Sequence, residues 1–392
     1  MEHSGDTTGR TAGHAADRTA DHTADHTVEI DPARTAAVVL VGGQGSRLRP
    51  LTLTTPKPML PTAGVPFLAH LLSRIAAAGI RRVVLGTAYR AEVFEAFLGD
   101  QATGGLEGLE LECRPEPEPL GTGGGIRFAA DALEPGYDEV VVFNGDILSG
   151  VDVRAVVAEH RAAGADATLH LVRVPDPTAF GCVPTDDDGR VLAFLEKTLT
   201  PPTDQVNAGC YVFRRDVLDA IPSGRPVSVE RETFPGLLES GRRLQAHVES
   251  SYWLDLGTPA SFVRGSADLV QGAAPTAALP GPVGTALLLA GAKVAPSASL
   301  TDGTTVGADV QIGDGSRVSG SVLMDGARIG DGAVIERSVI GPGASIGDDT
   351  VVRDAVVGDG ASIGASCELL AGLRVWPGLV VPDGGLRFSG GA

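Results

Sequence analysis

Short aliphatic runs alternate with stretches of helical spacing through residues 34–270. Val38, Val39, Leu40 and Val41 form a run that ends in Gly42-Gly43, the pattern of a buried strand running into a loop. Leu68, Leu71, Leu72 and Ile75 follow at the spacing of an amphipathic helix, and Gly79 stands where a left-handed C-cap would fall. Val83, Val84 and Leu85 predict a second strand. Val140-Val-Val-Phe143 predicts a third, running straight into Asn144-Gly145-Asp146. This alternation predicts an α/β fold: a Rossmann-like, mostly parallel sheet with helices on both faces. In such a sheet ligands bind beyond the carboxyl ends of the strands. Gly42-Gly43 and Asn144-Gly145-Asp146 both fall there.

The pattern changes after residues 271–284, which are rich in Ala, Pro and Gly and read as a linker. Val294, Leu300, Val306, Ile312 and Val318 recur every six residues. Ile312, Ile329, Ile346 and Ile363 then recur every 17, as do Leu323, Ile340 and Val357, and Val318, Ile335 and Val352. Hexapeptide repeats build a parallel β-helix whose triangular coil takes about 18 residues, so a 17-residue period is a coil with one shortened corner. The expected organisation is a tail (1–33), an α/β domain (34–270), the linker (271–284), a β-helix (285–380) and a C-terminal tail (381–392). The first tail repeats Thr-Ala-Asp-His without hydrophobic periodicity and reads as disordered.

Composition narrows the function. A net charge of -18 disfavours nucleic acid as a partner. No apolar run approaches the roughly 20 residues of a membrane span, and the N-terminus lacks the apolar core of a signal peptide. A cytoplasmic protein is expected. Cys113, Cys182, Cys210 and Cys367 form no CxxC pair, which argues against a zinc ribbon or a disulfide scaffold. Yet no acidic residue stands between Asp31 and Glu92, a stretch carrying Arg34, Arg47, Arg49, Lys57, Arg74, Arg81, Arg82 and Arg90. A locally cationic segment in an acidic chain suggests a site for a small polyanion. Of the 31 basic residues only Lys57, Lys197 and Lys293 are lysines.

Gly42-Gly-Gln-Gly-Ser-Arg-Leu-Arg-Pro-Leu-Thr52 is followed by Pro56-Lys57-Pro58. Glycines at Gly42, Gly43 and Gly45 let backbone N–H groups approach phosphate oxygens. The segment is neither a Walker A loop nor the dinucleotide fingerprint, but it carries Arg47 within it and Lys57 shortly after. A plain βα turn does not account for that cationic pair.

These motifs, with those that follow, resemble the nucleotide-sugar pyrophosphorylases, and within them the mannose-1-phosphate guanylyltransferases, over residues 36–380. The resemblance implies a left-handed β-helix after the catalytic domain. It implies transfer of a nucleotidyl group from a nucleoside triphosphate to a sugar 1-phosphate, with Mg²⁺ as cofactor and Arg47 and Lys57 as catalytic residues. Asp146 ends a buried strand and Asp255 lies in Trp253-Leu-Asp-Leu-Gly-Thr-Pro259. Each alone could be a turn cap, and by resemblance both hold the metal. Two carboxylates leave room for phosphates around Mg²⁺, which suits its preference for oxygen ligands.

Phe194-Leu-Glu-Lys197 resembles a segment whose glutamate contacts the sugar and whose lysine contacts its phosphate, here Glu196 and Lys197, with Thr198 in place of the usual proline. Phe180-Gly-Cys-Val183 and Asn207-Ala-Gly-Cys-Tyr211 resemble sugar-facing segments, which adds Gly181 and Asn207. Glu230 matches a family glutamate of unassigned role.

Pro115-Glu-Pro-Glu-Pro-Leu-Gly-Thr-Gly-Gly-Gly125 bears on the base. Guanine offers N1–H and N2–H₂ as adjacent donors, which one carboxylate can accept. By resemblance Glu116 does this, Gly121 lets the base lie against backbone, and Thr122 completes the nucleotide site. Glu116 as a solvated loop residue stays open. Gly123 stands where the guanylyl branch usually has Ala, and Ser46 where it has Thr.

GTP with mannose 1-phosphate is therefore the expected substrate pair. Glucose 1-phosphate with UTP or dTTP, or a heptose phosphate with GTP, remain alternatives. So does a non-catalytic paralogue that senses a nucleotide sugar, although Arg47, Lys57, Asp146, Lys197 and Asp255 are all present. An acetyltransferase would usually need a histidine in the β-helix, and the last histidine is His247. A homo-oligomer held by the β-helix is expected, because a solenoid leaves flat faces and open ends.

Overall fold

A computed structural model describes residues 29–99 and 106–387. The repeat-bearing stretch of the N-terminal tail lies outside these residues, as do residues 388–392 of the C-terminal tail.

The first part is built on strands β1 (Thr35–Leu40), β2 (Arg82–Thr87), β3 (Glu110–Pro115), β4 (Glu139–Asn144), β5 (Ala167–Arg173), β6 (Gln205–Arg214) and β7 (Leu244–Glu249). They lie in the order β7-β5-β6-β4-β1-β2-β3. Strands β1 to β4 pair in parallel, as do β5 and β7, and β6 runs antiparallel to β4 and β5. Its longer helices are α1 (Phe67–Ala78), α2 (Ala91–Gly99), α3 (Gly121–Ala130), α4 (Val153–Ala163) and α5 (Pro259–Val270). Side chains alternate across β1, so Ala36 and Val38 join Ile126 of α3 in one core. Ala37 and Val39 join Leu68, Leu72 and Ile75 of α1, Phe94 of α2 and Val156 of α4 in the other. The expected sheet with helices on both faces is observed. Its strands begin one to three residues before the aliphatic runs that predict them, and β1 ends at Leu40, one residue before its run does.

Local chemistry fixes the helix ends. Gly79 adopts φ 100° as the C-cap of α1. Asp152 accepts from the N–H groups of Arg154 and Ala155 at the start of α4. Thr258 and Ser261 form a capping box at α5, with Pro259 as its first residue.

Residues 286–381 form the three parallel sheets of a β-helix of the left-handed hexapeptide kind. The 17-residue repeat puts Ile312, Ile329, Ile346 and Ile363 in one inward stack. Leu323, Ile340 and Val357 form a second, and Val318, Ile335 and Val352 a third. All are buried. Successive coils register one residue up as well, and on one face this outward column reads Thr305, Val322, Val339, Val356, Arg374. Its valines are buried against Leu48, Leu51 and Leu60 of the first part and Phe262 and Val263 of α5. The Ser266 and Thr305 hydroxyls lie 3.0 Å apart across the same contact.

Candidate active site

A cavity of about 650 Å³ opens at the carboxyl ends of β1, β2, β3 and β4. Gly42, Gly43, Gln44, Gly45 and Arg47 line it from the loop after β1, and Ala88 and Tyr89 from the loop after β2. Glu116, Gly121 and Thr122 come from the loop after β3 and the start of α3, and Asn144, Gly145 and Asp146 from the end of β4. A Cβ on Gly145 would stand 2.6 Å from the Leu40 carbonyl oxygen, so β4 turns directly over the end of β1. That crossing carries Asp146 to the cavity wall.

Asp255 reaches the same place by another route. Trp253–Asp255 pairs antiparallel with Ile147–Ser149, which sets Asp255 opposite Ile147. Lys57 Nζ then donates to Asp146 Oδ2 at 2.9 Å and to Asp255 Oδ1 at 3.4 Å. Arg47 Nη2 lies 3.9 Å from Asp255 Oδ2. The lysine side chain is only 8% exposed, whereas that of Arg47 is 68% exposed and free to follow a ligand. Two carboxylates converging on one ammonium can equally face a hard divalent cation whose remaining ligands are water or phosphate oxygens. Among the described residues no group of three or more His, Cys, Asp or Glu side chains is placed to enclose a metal. The donor set fits a cation shared with a bound polyphosphate.

The opposite wall is fixed by backbone. Glu116 Oε2 accepts from the Leu120 N–H at 3.0 Å, and burial pushes its carboxyl above the usual carboxylate range against that hydrogen bond. Gly121 adopts φ 69°, and a Cβ there would stand 2.7 Å from the Val227 carbonyl oxygen. Thr122 Oγ1 lines the cavity but turns its hydrogen bonds away from it, donating to Glu230 Oε2 at 2.7 Å and accepting from Val229 N–H at 2.9 Å. Glu230 also accepts from the Ser228 hydroxyl at 2.8 Å. It thus ties the start of α3 to the π-helical turn Val229–Thr233.

The sequence profile of the nucleotidyl transferase family matches residues 36–272, and that of the GMPPB C-terminal domain matches residues 283–381. The chain belongs to the nucleotidyl transferase family. It is 62% identical over 354 residues to a mannose-1-phosphate guanylyltransferase of Mycobacterium tuberculosis, covering 90% of this chain and 97% of that protein. It is 36% identical to mannose-1-phosphate guanylyltransferase 1 of Arabidopsis thaliana, over 74% of this chain and 79% of that one. Two solved structures of HddC from Yersinia pseudotuberculosis, one complexed with GMP-PN, superpose with a TM-score of 0.52 at 26% identity, covering 60% of this chain and 99% of theirs.

In this nucleotidyl transferase the remaining predicted residues, Gly181, Glu196, Lys197 and Asn207, are not among those that line the cavity. Gly181 pairs with Glu196 across the Gly181–Cys182 and Leu195–Glu196 strands, and a Cβ on Gly181 would stand 3.1 Å from Glu196 Oε2. Lys197 adopts φ 50°, exposes 65% of its side chain and approaches Glu196 Oε1 at 3.6 Å. Asn207 donates to the Tyr211 hydroxyl at 2.7 Å and accepts from Gly209 N–H at 3.0 Å, bridging the bulge of β6. Phe180 and Trp253 pack edge to face with ring centres 5.1 Å apart, next to Asp255. Sequence reasoning missed Gln44, Tyr89 and Gly257 as wall residues. For Gln44 and Gly257 the available signal was their nearness to Gly43 and Asp255 in the chain, and for Tyr89 its place just past the strand marked by Val83, Val84 and Leu85.

Proposed function

We propose that this nucleotidyl transferase joins mannose 1-phosphate and GTP to give GDP-mannose and pyrophosphate. The convergence of Lys57, Arg47, Asp146 and Asp255 at the cavity carries the reaction class. The name of the Mycobacterium tuberculosis relative, matched over nearly its whole length, carries the substrate pair. The division is a catalytic part (34–270), a linker (271–284) and a β-helix (285–380) between tails. Assembly is as a homo-oligomer, and the enzyme works in the cytoplasm, where its triphosphate substrate is abundant.

The nucleophile is a phosphate oxygen of the sugar 1-phosphate, already anionic near neutral pH because a phosphate monoester's second pKa is about 6. No general base is needed. This oxygen forms a bond to the α-phosphorus, the bond from that phosphorus to the oxygen bridging to the β-phosphate breaks, and pyrophosphate leaves with the electron pair. Gly42, Gly43 and Gly45 present backbone N–H groups to the triphosphate. Arg47 and Lys57 offset the repulsion between two polyanions, which for unit charges 4 Å apart is about 4 kcal/mol at an effective dielectric of 20. Glu116 accepts from guanine, with Gly121 and Thr122 shaping the base pocket. Gly181, Glu196 and Asn207 face the sugar, and Lys197 swings onto its phosphate. Asp146 and Asp255 would hold Mg²⁺, which supplies charge neutralisation to the phosphates.

Asp255→Asn tests the carboxylate pair. Turnover should fall by at least about a hundredfold, the scale of one lost electrostatic group, with an unchanged circular dichroism spectrum. Near-normal turnover would overturn the assignment.

A further inference from the structure

Segment 45–60, which carries Arg47 and Lys57, is not held by the catalytic sheet alone. Thr52 donates to the Gly45 carbonyl at 2.8 Å, and the Tyr89 hydroxyl reaches the Thr52 and Leu53 carbonyls at 3.4 and 3.3 Å. Three of the segment's aliphatic side chains face the other way. Leu48, next to Arg47, is fully buried, and Leu51 and Leu60 are each 2% exposed. Their partners are Val322, Met324, Val339 and Val356 of the β-helix, with Phe262 and Val263 of α5.

Polar contacts flank this apolar patch. Arg374, the last member of the outward column, donates to the Arg49 carbonyl at 2.7 Å. Thr54 donates to Asp359 Oδ2 at 3.2 Å. The corresponding outward column of the neighbouring face reads Lys293, Gln311, Arg328, Ser345, Ser362, Val380, polar in all but its last member. Its polar character is what a solvent-facing solenoid wall requires. The third face's column, Ser299, Arg317, Val334, Val351, Glu368, also holds two valines, but Val322, Val339 and Val356 are the ones packed against the first part, and their face meets the loop bearing the site's two cations.

We propose that the β-helix is a positioning element for the reaction: the column Val322, Val339, Val356, Arg374 clamps segment 45–60 and so sets Arg47 and Lys57 against the triphosphate. This rests on the role given above to those two cations. Loop backbone on its own is mobile, and a misplacement of about 1 Å at a reacting group can cost a hundredfold in rate. Arg374 and the valines touch no substrate; they act through Leu48, Arg49, Leu51 and Leu60.

The test combines kinetics with amide hydrogen exchange on the full chain. Arg374→Ala should lower kcat/KM for the nucleoside triphosphate about tenfold, the scale of one lost charge-assisted hydrogen bond. KM for the sugar 1-phosphate and the melting temperature should stay as in the wild type, and Arg374→Lys should restore most of the loss. Val339→Ala with Val356→Ala should speed exchange in residues 46–60 while leaving the inward-stacked residues 328–346 protected. Wild-type kinetics in Arg374→Ala together with unchanged exchange in 46–60 would overturn the proposal. Exchange that rises equally across the β-helix would also overturn it, because the column would then only stabilise the solenoid. Lys57→Ala separates the two readings. An active Lys57→Ala enzyme sinks the role of the cations themselves. An inactive one beside a wild-type-like Arg374→Ala enzyme sinks only the clamp.

Discussion

Lys57→Gln keeps much of the side-chain length and removes the charge that Asp146 and Asp255 share. The ammonium sits 2.9 and 3.4 Å from the two carboxylates. At an effective dielectric of 20 a pair of unit charges about 4 Å apart is worth about 4 kcal/mol. Solvent reduces that here, because Asp146 is 45% exposed and Asp255 27%. Two opposite effects follow. In the reaction, the charge building on the leaving pyrophosphate loses one fixed cation, which should cost about 3–4 kcal/mol, or a factor of roughly 10²–10³ in kcat. In the resting enzyme, the same substitution frees two carboxylates from a competing cation, so a divalent ion should bind them about tenfold more tightly, about 1.4 kcal/mol. Pyrophosphate release at saturating substrates measures the first effect. Mn²⁺ titration of the substrate-free enzyme, followed by electron paramagnetic resonance, measures the second. A kcat within about threefold of wild type, or Mn²⁺ binding that weakens, would refute the reasoning.

Two further outcomes follow from ionisable groups on the cavity rim and in the core. Glu116→Gln should damage GTP use more than UTP or dTTP use, since a carboxylate paired with guanine donors has little to offer a pyrimidine; an unchanged nucleotide ratio counts against Glu116 as the base reader. His70 is buried, with its ring nitrogens 2.8 Å from Thr276 Oγ1 and 2.9 Å from the Thr62 carbonyl oxygen, and desolvation pushes its pKa down to about 4 from 6.5. Because the folded value lies below the unfolded one, the unfolded chain takes up the proton first. Stability is full above pH 6.5 and is lost toward pH 4, by about 3 kcal/mol in all. Urea unfolding at pH 7 and pH 5 should show a smaller acid loss in His70→Gln than in the wild type, and equal losses would contradict it.

The parts of the site that depend on local sequence were legible in it. Gly42-Gly43 and Asn144-Gly145-Asp146 end strands that the aliphatic runs mark, and the 17-residue period fixes which β-helix residues stack inward. What sequence concealed is non-local. Asp255 meets Asp146 only because Trp253–Asp255 pairs with Ile147–Ser149, and no local pattern announces that pairing. The clamp left a signal that went unread. Val322, Val339 and Val356 precede the inward Leu323, Ile340 and Val357, so each strand is aliphatic on both sides, as a strand covered on both faces must be. Glu230 could not be placed from sequence because its partner Thr122 stands 108 residues away in the chain.

The central claim is a guanylyl transfer to mannose 1-phosphate, and one measurement meets it directly: Mg²⁺-dependent pyrophosphate release with GTP, ATP, UTP and dTTP crossed against mannose, glucose and heptose 1-phosphates. The account predicts the highest kcat/KM for GTP with mannose 1-phosphate, with one GDP-mannose formed per pyrophosphate. A preference for UTP or dTTP with glucose 1-phosphate would contradict the substrate assignment, and release with no pair at all would contradict the enzyme.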